Sequence, residues 1–411
     1  MILNDMIERK QQMKALRDLR DRHVVKVVIG VRRSGKSTLL QMFADDLRHD
    51  VPEKYIQFLN FEDPDVLEIG DWKQIYDYVN QRLSSGGMNY IFLDEVQNVE
   101  SFERLVDGLY IKKNVDLYIT GSNGYLLSGE LATLLTGRYI EIEMLPFSFT
   151  EYLEAKPNSQ NMPKDELFRN FIFNGGLPQA VEFGEISQKQ ADDFLNSVIT
   201  TVVEKDIFKR RRLYNKPVFH KVTDFLLDSV GSYVSPGSIS KYFKNEGIVI
   251  DHKTVTKYLG HLSSAFLFYK VPRYNIKGKN LLRTLDKYYV TDPGFRKARL
   301  GLEVNADRGH LLENAVYLEL RRRNRHVYVG KLREKEVDFV TVDYAGYTSY
   351  YQVAYSVLDE KTLARELSPL EMIKDSNAKY LLSTDWDIDP VYNGIRKLNV
   401  INWLLGEANT R

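Results

Sequence analysis

The stretch GVRRSGKSTLL, residues 30–40, limits what this chain can fold into more than any other. It fits the phosphate-loop pattern G-x-x-x-x-G-K-[ST] through Gly30, Gly35, Lys36 and Ser37. Before it lies VVKVVIG, residues 24–30, β-branched and nearly all apolar, as a buried parallel strand should be. After it, Leu39, Leu40, Met42, Phe43 and Leu47 recur with a helical period. Strand, glycine loop and helix make an anion site, because loop N–H groups and the helix N-terminus converge there. On this reading Gly30, Arg33, Ser34, Gly35, Lys36, Ser37 and Thr38 hold a nucleotide. Lys36 reaches the β- and γ-phosphates, and the Ser37 hydroxyl ligates Mg²⁺. The plainer alternative is a solvated glycine turn before a helix.

A second motif, NYIFLDEVQNV at 89–99, supports the first. Tyr90 to Leu93 read as another buried strand, with Asp94 and Glu95 at its carboxyl end. Ligands of open α/β sheets bind outside the carboxyl ends of the strands. Asp94 would hold Mg²⁺ largely through water, and Glu95 would orient and deprotonate an attacking water. The alternative is two acids capping the next helix. A third strand, in VDLYITGSNGYLL at 115–127, brings Thr120, Ser122 and Asn123, which could bind a γ-phosphate or the lytic water, or could be ordinary turn residues. With strands near 24–30, 55–60, 90–95, 116–121 and 138–144, the expectation is a doubly wound α/β domain with a parallel sheet.

Composition narrows the rest. A chain of 411 residues implies two or three domains. A net charge of +1 argues against a globally basic nucleic-acid binder but leaves local patches open. With no cysteine, disulfides, thiolate zinc sites and cysteine nucleophiles are excluded. The sequence lacks the apolar run of about 18 residues that a membrane helix needs. Its first residues are charged, without a signal-peptide core. The expectation is a soluble cytoplasmic protein without a membrane partner.

Together GVRRSGKSTLL, FLDEVQNV, ITGSN, LLTGRYIEIEMLPFSFTEYL and NGGLPQAV resemble the bacterial and archaeal AAA-type ATPases of the AAA+/STAND-like group. In these a nucleotide-binding domain precedes a C-terminal domain of unknown function related to restriction-endonuclease-like folds. The resemblance implies ATP and Mg²⁺ as ligands and an ATP hydrolase. It places Lys36 and Ser37 at the Walker A positions, Asp94 and Glu95 at Walker B, and Ser122 or Asn123 at the sensor position. It gives Arg138 of TGR a role in neutralising γ-phosphate charge, within the chain or across a subunit interface. Arg138 could equally be a surface residue that begins a strand. GGLP, residues 175–178, is similar to the signature by which STAND-like lids contact adenine, with Pro178 offering a flat apolar face. The alternative is a turn between helices.

The expected organisation is a P-loop ATPase domain at 1–150, a helical lid at 151–215, a winged-helix-like domain at 216–300 and a PD-(D/E)XK-like domain at 301–411. The run KRRRL at 209–213 could touch nucleic-acid phosphates or end a solvated helix. Residues 216–275 read as three helices and a short hairpin. Asp251 caps one helix, and Lys253, Thr254, Thr256 and Lys257 are exposed on it, as on a DNA-recognition helix or on a structural module. Beyond residue 308 the order reads helix, three strands, helix, strand, the order of the PD-(D/E)XK nuclease core. Glu313, Asp338 and Gln352 match that pattern, but Ala354 stands where the lysine belongs. Lys331, Lys335 and Lys361 are the candidates for a displaced lysine. The expectation is therefore a Mg²⁺-dependent ATPase with a degenerate nuclease-like domain that binds rather than cuts. The alternatives are an ATP-regulated DNA endonuclease or an ATP-switched scaffold, with DNA, a protein or a second copy as partner.

Overall fold

A computed structural model describes residues 7–122, 124, 136–156, 159–209, 215–282, 285–301, 307–386 and 390–408. Asn123 and most of the KRRRL run, 210–213, lie outside the described residues. The chain divides into two compact units, 1–145 with 264–266, and 146–263 with 267–411.

The first unit is built on β1 (Val25–Ile29), β2 (Ile56–Asn60), β3 (Asn89–Asp94), β4 (Val115–Gly121) and β5 (Tyr139–Glu143), close to the expected positions. They form one sheet in the order β2-β3-β4-β1-β5, every neighbouring pair parallel. β1, β3 and β4 are buried along their whole length, which explains their continuous apolar composition. The helix Lys36–Leu47 buries Leu39, Leu40, Phe43, Ala44 and Leu47. Phe43 meets Phe92 and Tyr118, and the last two stack at 4.8 Å. Each such side chain contributes about 1.5–3 kcal/mol on burial. The one charge in β1, Lys26, is fully buried and pairs with Asp116 of β4. Burial lowers the Lys26 pKa, and Asp116 opposes that shift.

The second unit opens with helices Phe149–Ala155, Lys164–Asn174, Pro178–Ile186 and Gln188–Thr201, the last running on as a π-helix over Val202–Phe208. The helices Lys216–Asp228, Pro236–Asn245 and His252–Ser264 follow, with β6 (Tyr233–Val234) between the first two. Then come β7 (Phe268–Val271), β8 (Arg273–Asn275), β9 (Asn280–Leu281) and β10 (Asp286–Val290). β6, β10 and β7 make a three-stranded antiparallel sheet. β8 and β9 form a hairpin, with Tyr274 opposite Leu281, that runs past the expected end at 275. β8 also pairs in parallel with β11 (His326–Leu332), so its backbone groups are used inside the next sheet, and Tyr274 stacks on Tyr328 at 5.4 Å.

That next sheet adds β12 (Lys335–Val342), β13 (Thr348–Val353), β14 (Ala378–Ser383), β15 (Val391–Tyr392) and β16 (Ile395–Asn399). It is eight-stranded, in the order β15-β16-β14-β13-β12-β11-β8-β9. The helix Arg308–Arg323 precedes β11 and the helix Glu360–Glu371 joins β13 to β14, so the order helix, three strands, helix, strand is present. Val337, Val340, Leu370, Leu381 and Ile395 are buried in its core, with Ile276 beside them. Among the described residues no helix is long and apolar enough to cross a membrane.

Candidate functional site

The loop between β1 and the helix Lys36–Leu47 is shaped by its glycines. Gly30 has φ +148°, and a Cβ there would stand 2.3 Å from the Met144 carbonyl oxygen. Gly35, left-handed at φ 99°, starts the helix. Lys36 Nζ donates to the carbonyls of Gly30 at 3.3 Å and Val31 at 3.2 Å. It also stands 3.6 Å from Glu95 Oε1, both side chains being buried. Ser34 is buried, and its hydroxyl has no hydrogen-bond partner among the described residues, while Arg33, Ser37 and Thr38 are exposed.

Because β4 lies between β1 and β3, its carboxyl end separates the loop from the acids. Thr120 uses that place. Its hydroxyl donates to Asp94 Oδ1 and accepts from the Glu95 N–H at 2.8 Å. Burial pushes the Asp94 carboxyl up, while hydrogen bonds from Thr120 and Ser37 hold it down. Burial would also raise Glu95, but Lys36 and Arg32 outweigh it and leave Glu95 below the usual carboxylate range. Gln97 Nε2 donates to Glu95, and Ser122 is hydrogen-bonded to the same carboxylate. Glu95 itself is in the left-handed region, φ 51°, which turns its side chain back toward the loop lysine.

The structure thus brings together Gly30, Ser34, Gly35, Lys36, Ser37, Asp94, Glu95 and Ser122. It does not bring Arg138 to its own loop. Arg138 precedes β5, and its carbonyl accepts from the Val25 N–H at the amino end of β1, whereas the loop leaves the carboxyl end. Its guanidinium sits 3.5 Å from Asp107 and over the Tyr110 ring. Two residues, Arg9 and Gln97, were missed by motif reading. Arg9 is buried and donates to the carbonyls of Ser34 at 3.2 Å and Leu145 at 2.5 Å, pinning the loop. Thr120 orients Asp94, and Gln97 holds Glu95. Gln97 lies two residues past an acid already singled out, which was a usable signal; Arg9 had none.

In the second unit, Pro178 begins the helix Pro178–Ile186. The N–H groups of Gly176 and Leu177 both donate to Asp292 Oδ2, at 2.8 and 2.7 Å. Gly294 N–H donates to the other carboxylate oxygen. A Cβ on Gly175, at φ 85°, would come within 1.7 Å of Asp292. The turn is thus locked by Asp292, whose pKa burial pushes up to about 6 against these three donors. On the helix His252–Ser264, Lys253, Thr256 and Lys257 are exposed as expected. Asp251 accepts from the N–H groups of Lys253 and Thr254, and Thr254 turns its hydroxyl into that cap as well.

The nuclease-like residues also converge, rather than standing as separate surface acids. Glu313 Oε1 accepts from Lys287 Nζ at 2.9 Å and the Tyr289 hydroxyl at 2.5 Å. Lys287 Nζ reaches Glu336 Oε1 at 2.6 Å. Asp338 is buried and accepts the Val353 N–H at 2.8 Å. Burial pushes its pKa well up; Glu313 and Glu336 add to the rise, and Lys287 opposes it. Gln352 Nε2 donates to Glu366. The lysines considered for the missing position are engaged elsewhere or exposed: Lys331 faces Glu334 at 4.0 Å, Lys335 bonds Ser368, and Lys361 is exposed. The cation in this cluster is Lys287, from β10.

Comparison with known proteins places this geometry. A family model described as an AAA domain matches residues 22–153, and one described as a domain of unknown function matches 165–306. An uncharacterized protein of Haemophilus influenzae is 37% identical over 403 residues, spanning 97% of this chain and 99% of that protein. The chain belongs to that protein's family, built on an AAA domain. An uncharacterized protein of Methanocaldococcus jannaschii is 28% identical over 365 residues, 85% of this chain and 79% of that protein. Among solved structures, a Walker-type ATPase of Pyrococcus abyssi is similar at 15% identity and a TM-score of 0.47, covering 72% of this chain and 96% of that one. The first unit of this AAA protein is a P-loop fold with a parallel sheet, and the loop and acids described above fall within the matched residues.

Proposed function

We propose that the AAA domain binds MgATP and hydrolyses it, with Glu95 as the base. The observation that carries this reading is the shared environment of Lys36, Ser37, Asp94 and Glu95 around one glycine loop. The donor set suits Mg²⁺: a hydroxyl and a carboxylate, hydrogen-bonded to each other, both hard oxygens. The metal, when bound, supplies charge neutralisation for the phosphates. Lys36 is held by two carbonyls and faces Glu95. Phosphate oxygens offer Lys36 a stronger, charge-assisted partner. Once Lys36 turns to them, the Glu95 carboxylate is left to accept a proton from water, as a general base requires. Gln97 and Ser122 then keep its carboxylate aimed. Turnover is thereby tied to occupancy of the loop.

The finer assignments are part of the same proposal. The helices of 151–215 would act as a nucleotide-responsive lid through the turn 175–178, supported by its glycine–proline signature. The exposed Lys253, Thr256 and Lys257 support DNA as a partner. The helix and strand order after residue 308 supports a nuclease-like domain, and Ala354 in the place of the lysine supports binding without cutting.

The test is ATP turnover and ATP-analogue binding, with and without duplex DNA. Glu95→Gln should bind MgATP while turnover falls by roughly 10²-fold or more, as for a lost general base. Lys36→Ala should lose binding. Equal turnover in wild type and Glu95→Gln would reduce Glu95 to a turn residue. Binding that survives Lys36→Ala would remove the nucleotide site.

A further inference from the structure

The nuclease-like order of elements after residue 308 implies a divalent cation between helix and strand carboxylates. The residues present do not fit one. Beside Glu313 of the helix Arg308–Arg323, one of those carboxylates, and next to Glu336 of β12, stands the ammonium of Lys287. Its Nζ is 2.9 Å from one carboxylate and 2.6 Å from the other, distances of direct ion pairs. The Lys287 side chain is only 7% exposed, so it is a resident and not a surface lysine swung inward. Around it stand Tyr289, which donates to the same Glu313 oxygen, and Asp338, which spends an oxygen on the Val353 N–H. Tyr233 covers it, with its ring centroid 5.5 Å from Nζ. Gln352, the remaining nuclease-pattern residue, is turned to Glu366 and to the Asp338 N–H. Among the described residues no group of three or more His, Asp or Glu side chains is arranged to hold a metal ion.

We infer that Lys287 is the built-in cation of this cluster, replacing the divalent ion and closing the site to metal. An ammonium and a divalent ion cannot share the space between Glu313 and Glu336. A metal would have to expel a buried lysine from two carboxylates at once. The arrangement also serves the fold. Lys287 lies on β10, in the three-stranded sheet, while its partners lie on the helix and strand of the C-terminal sheet, so the ion pairs fasten one to the other. Of the lysines considered for the position of Ala354, Lys331 faces Glu334 and Lys335 bonds Ser368. Lys287 itself is engaged by two carboxylates.

The experiment uses the full chain, free of nucleotide, and Mn²⁺ as the probe, with binding read by loss of the free-ion spin-resonance signal. Wild type and Asp338→Asn should take up Mn²⁺ equally, because the cluster contributes nothing. Lys287→Met, which keeps the stem and removes the charge, should gain about one additional Mn²⁺ per chain, bound through the freed carboxylates. That gain should disappear in Lys287→Met combined with Glu313→Gln. Uptake by wild type that Asp338→Asn removes would overturn the inference, and so would a folded Lys287→Met that gains no ion. Should Lys287→Met not fold, amine acylation of the wild type mapped by mass spectrometry decides. Lys287 should stay protected in millimolar Mn²⁺, and Mn²⁺-induced labelling would show the ion displacing it.

Discussion

Arg9 lies outside every loop motif, yet it sets the height of the phosphate loop. Its guanidinium holds the Ser34 carbonyl from one side and the Leu145 carbonyl from the other, in a buried position. A loop that presents N–H groups to an anion must keep its carbonyls turned away, and Arg9 secures one of them. Charge-assisted hydrogen bonds of this kind are worth about 1.5–3 kcal/mol. Arg9→Met keeps the packing of the stem and removes the donors. Nucleotide affinity should fall by roughly tenfold, the equivalent of about 1.4 kcal/mol. A titration with a fluorescent ATP analogue measures this, and unchanged affinity would show that the loop keeps its shape without the arginine. The loop itself was legible because its residues are contiguous and their roles follow from backbone geometry. Arg9 was not, because its partners lie 25 and 136 residues away. Only the packing of the first helix against the sheet brings them together.

At the scale of the element, the turn 175–178 shows how one buried carboxylate can define a connection. Asp292 takes three backbone N–H groups, two from the turn and one from the start of the helix Pro293–Leu300. Burial raises its pKa from the ordinary 3.8 to about 6. The folded state therefore binds a proton that the unfolded chain has already released between these values. The stability contributed by Asp292 is fully present below about pH 4 and is lost as pH rises through about 6. A shift of that size corresponds to a few kcal/mol, on the order of 3. Thermal unfolding of wild type and Asp292→Asn should show a gap that narrows from pH 4 to pH 7. A gap that widens over that range would mean that the three donors overcome burial and hold the carboxylate ionised. GGLP was visible in the sequence as a turn, but its partner was not, since 115 residues separate Leu177 from Asp292. Lys287 was passed over for a related reason. It stands in DKYYV, a strand in which a charged residue needs an answering group, and that group came from a helix and strand further along. Contiguous motifs and apolar periodicity gave the strands and the loop. Pairings between distant elements, including the capture of β8 by β11, are decided by packing that no local pattern records.

At the scale of the whole molecule, the placement of Arg138 bears on assembly. β5 runs parallel to β1 with Tyr139 opposite Val25, so Arg138 lies at the amino end of the sheet. The phosphate loop leaves the other end, after Ile29. At about 3.3 Å per residue, the five residues of β1 put roughly 16 Å of strand between them, more than an arginine side chain spans. Arg138 is also braced by Asp107 and Tyr110, with about half its side chain exposed. A guanidinium so placed cannot serve its own γ-phosphate. We propose that it serves the loop of a second copy. Arg138→Ala should then bind ATP with wild-type affinity and lose turnover, and wild-type turnover per chain should climb with protein concentration. Mixing inactive Arg138→Ala with inactive Lys36→Ala should restore part of the activity, because one interface then pairs an intact loop with an intact arginine. Turnover that is independent of concentration, with no recovery on mixing, would leave Arg138 as the braced first residue of a strand and remove the need for a second copy in the reaction.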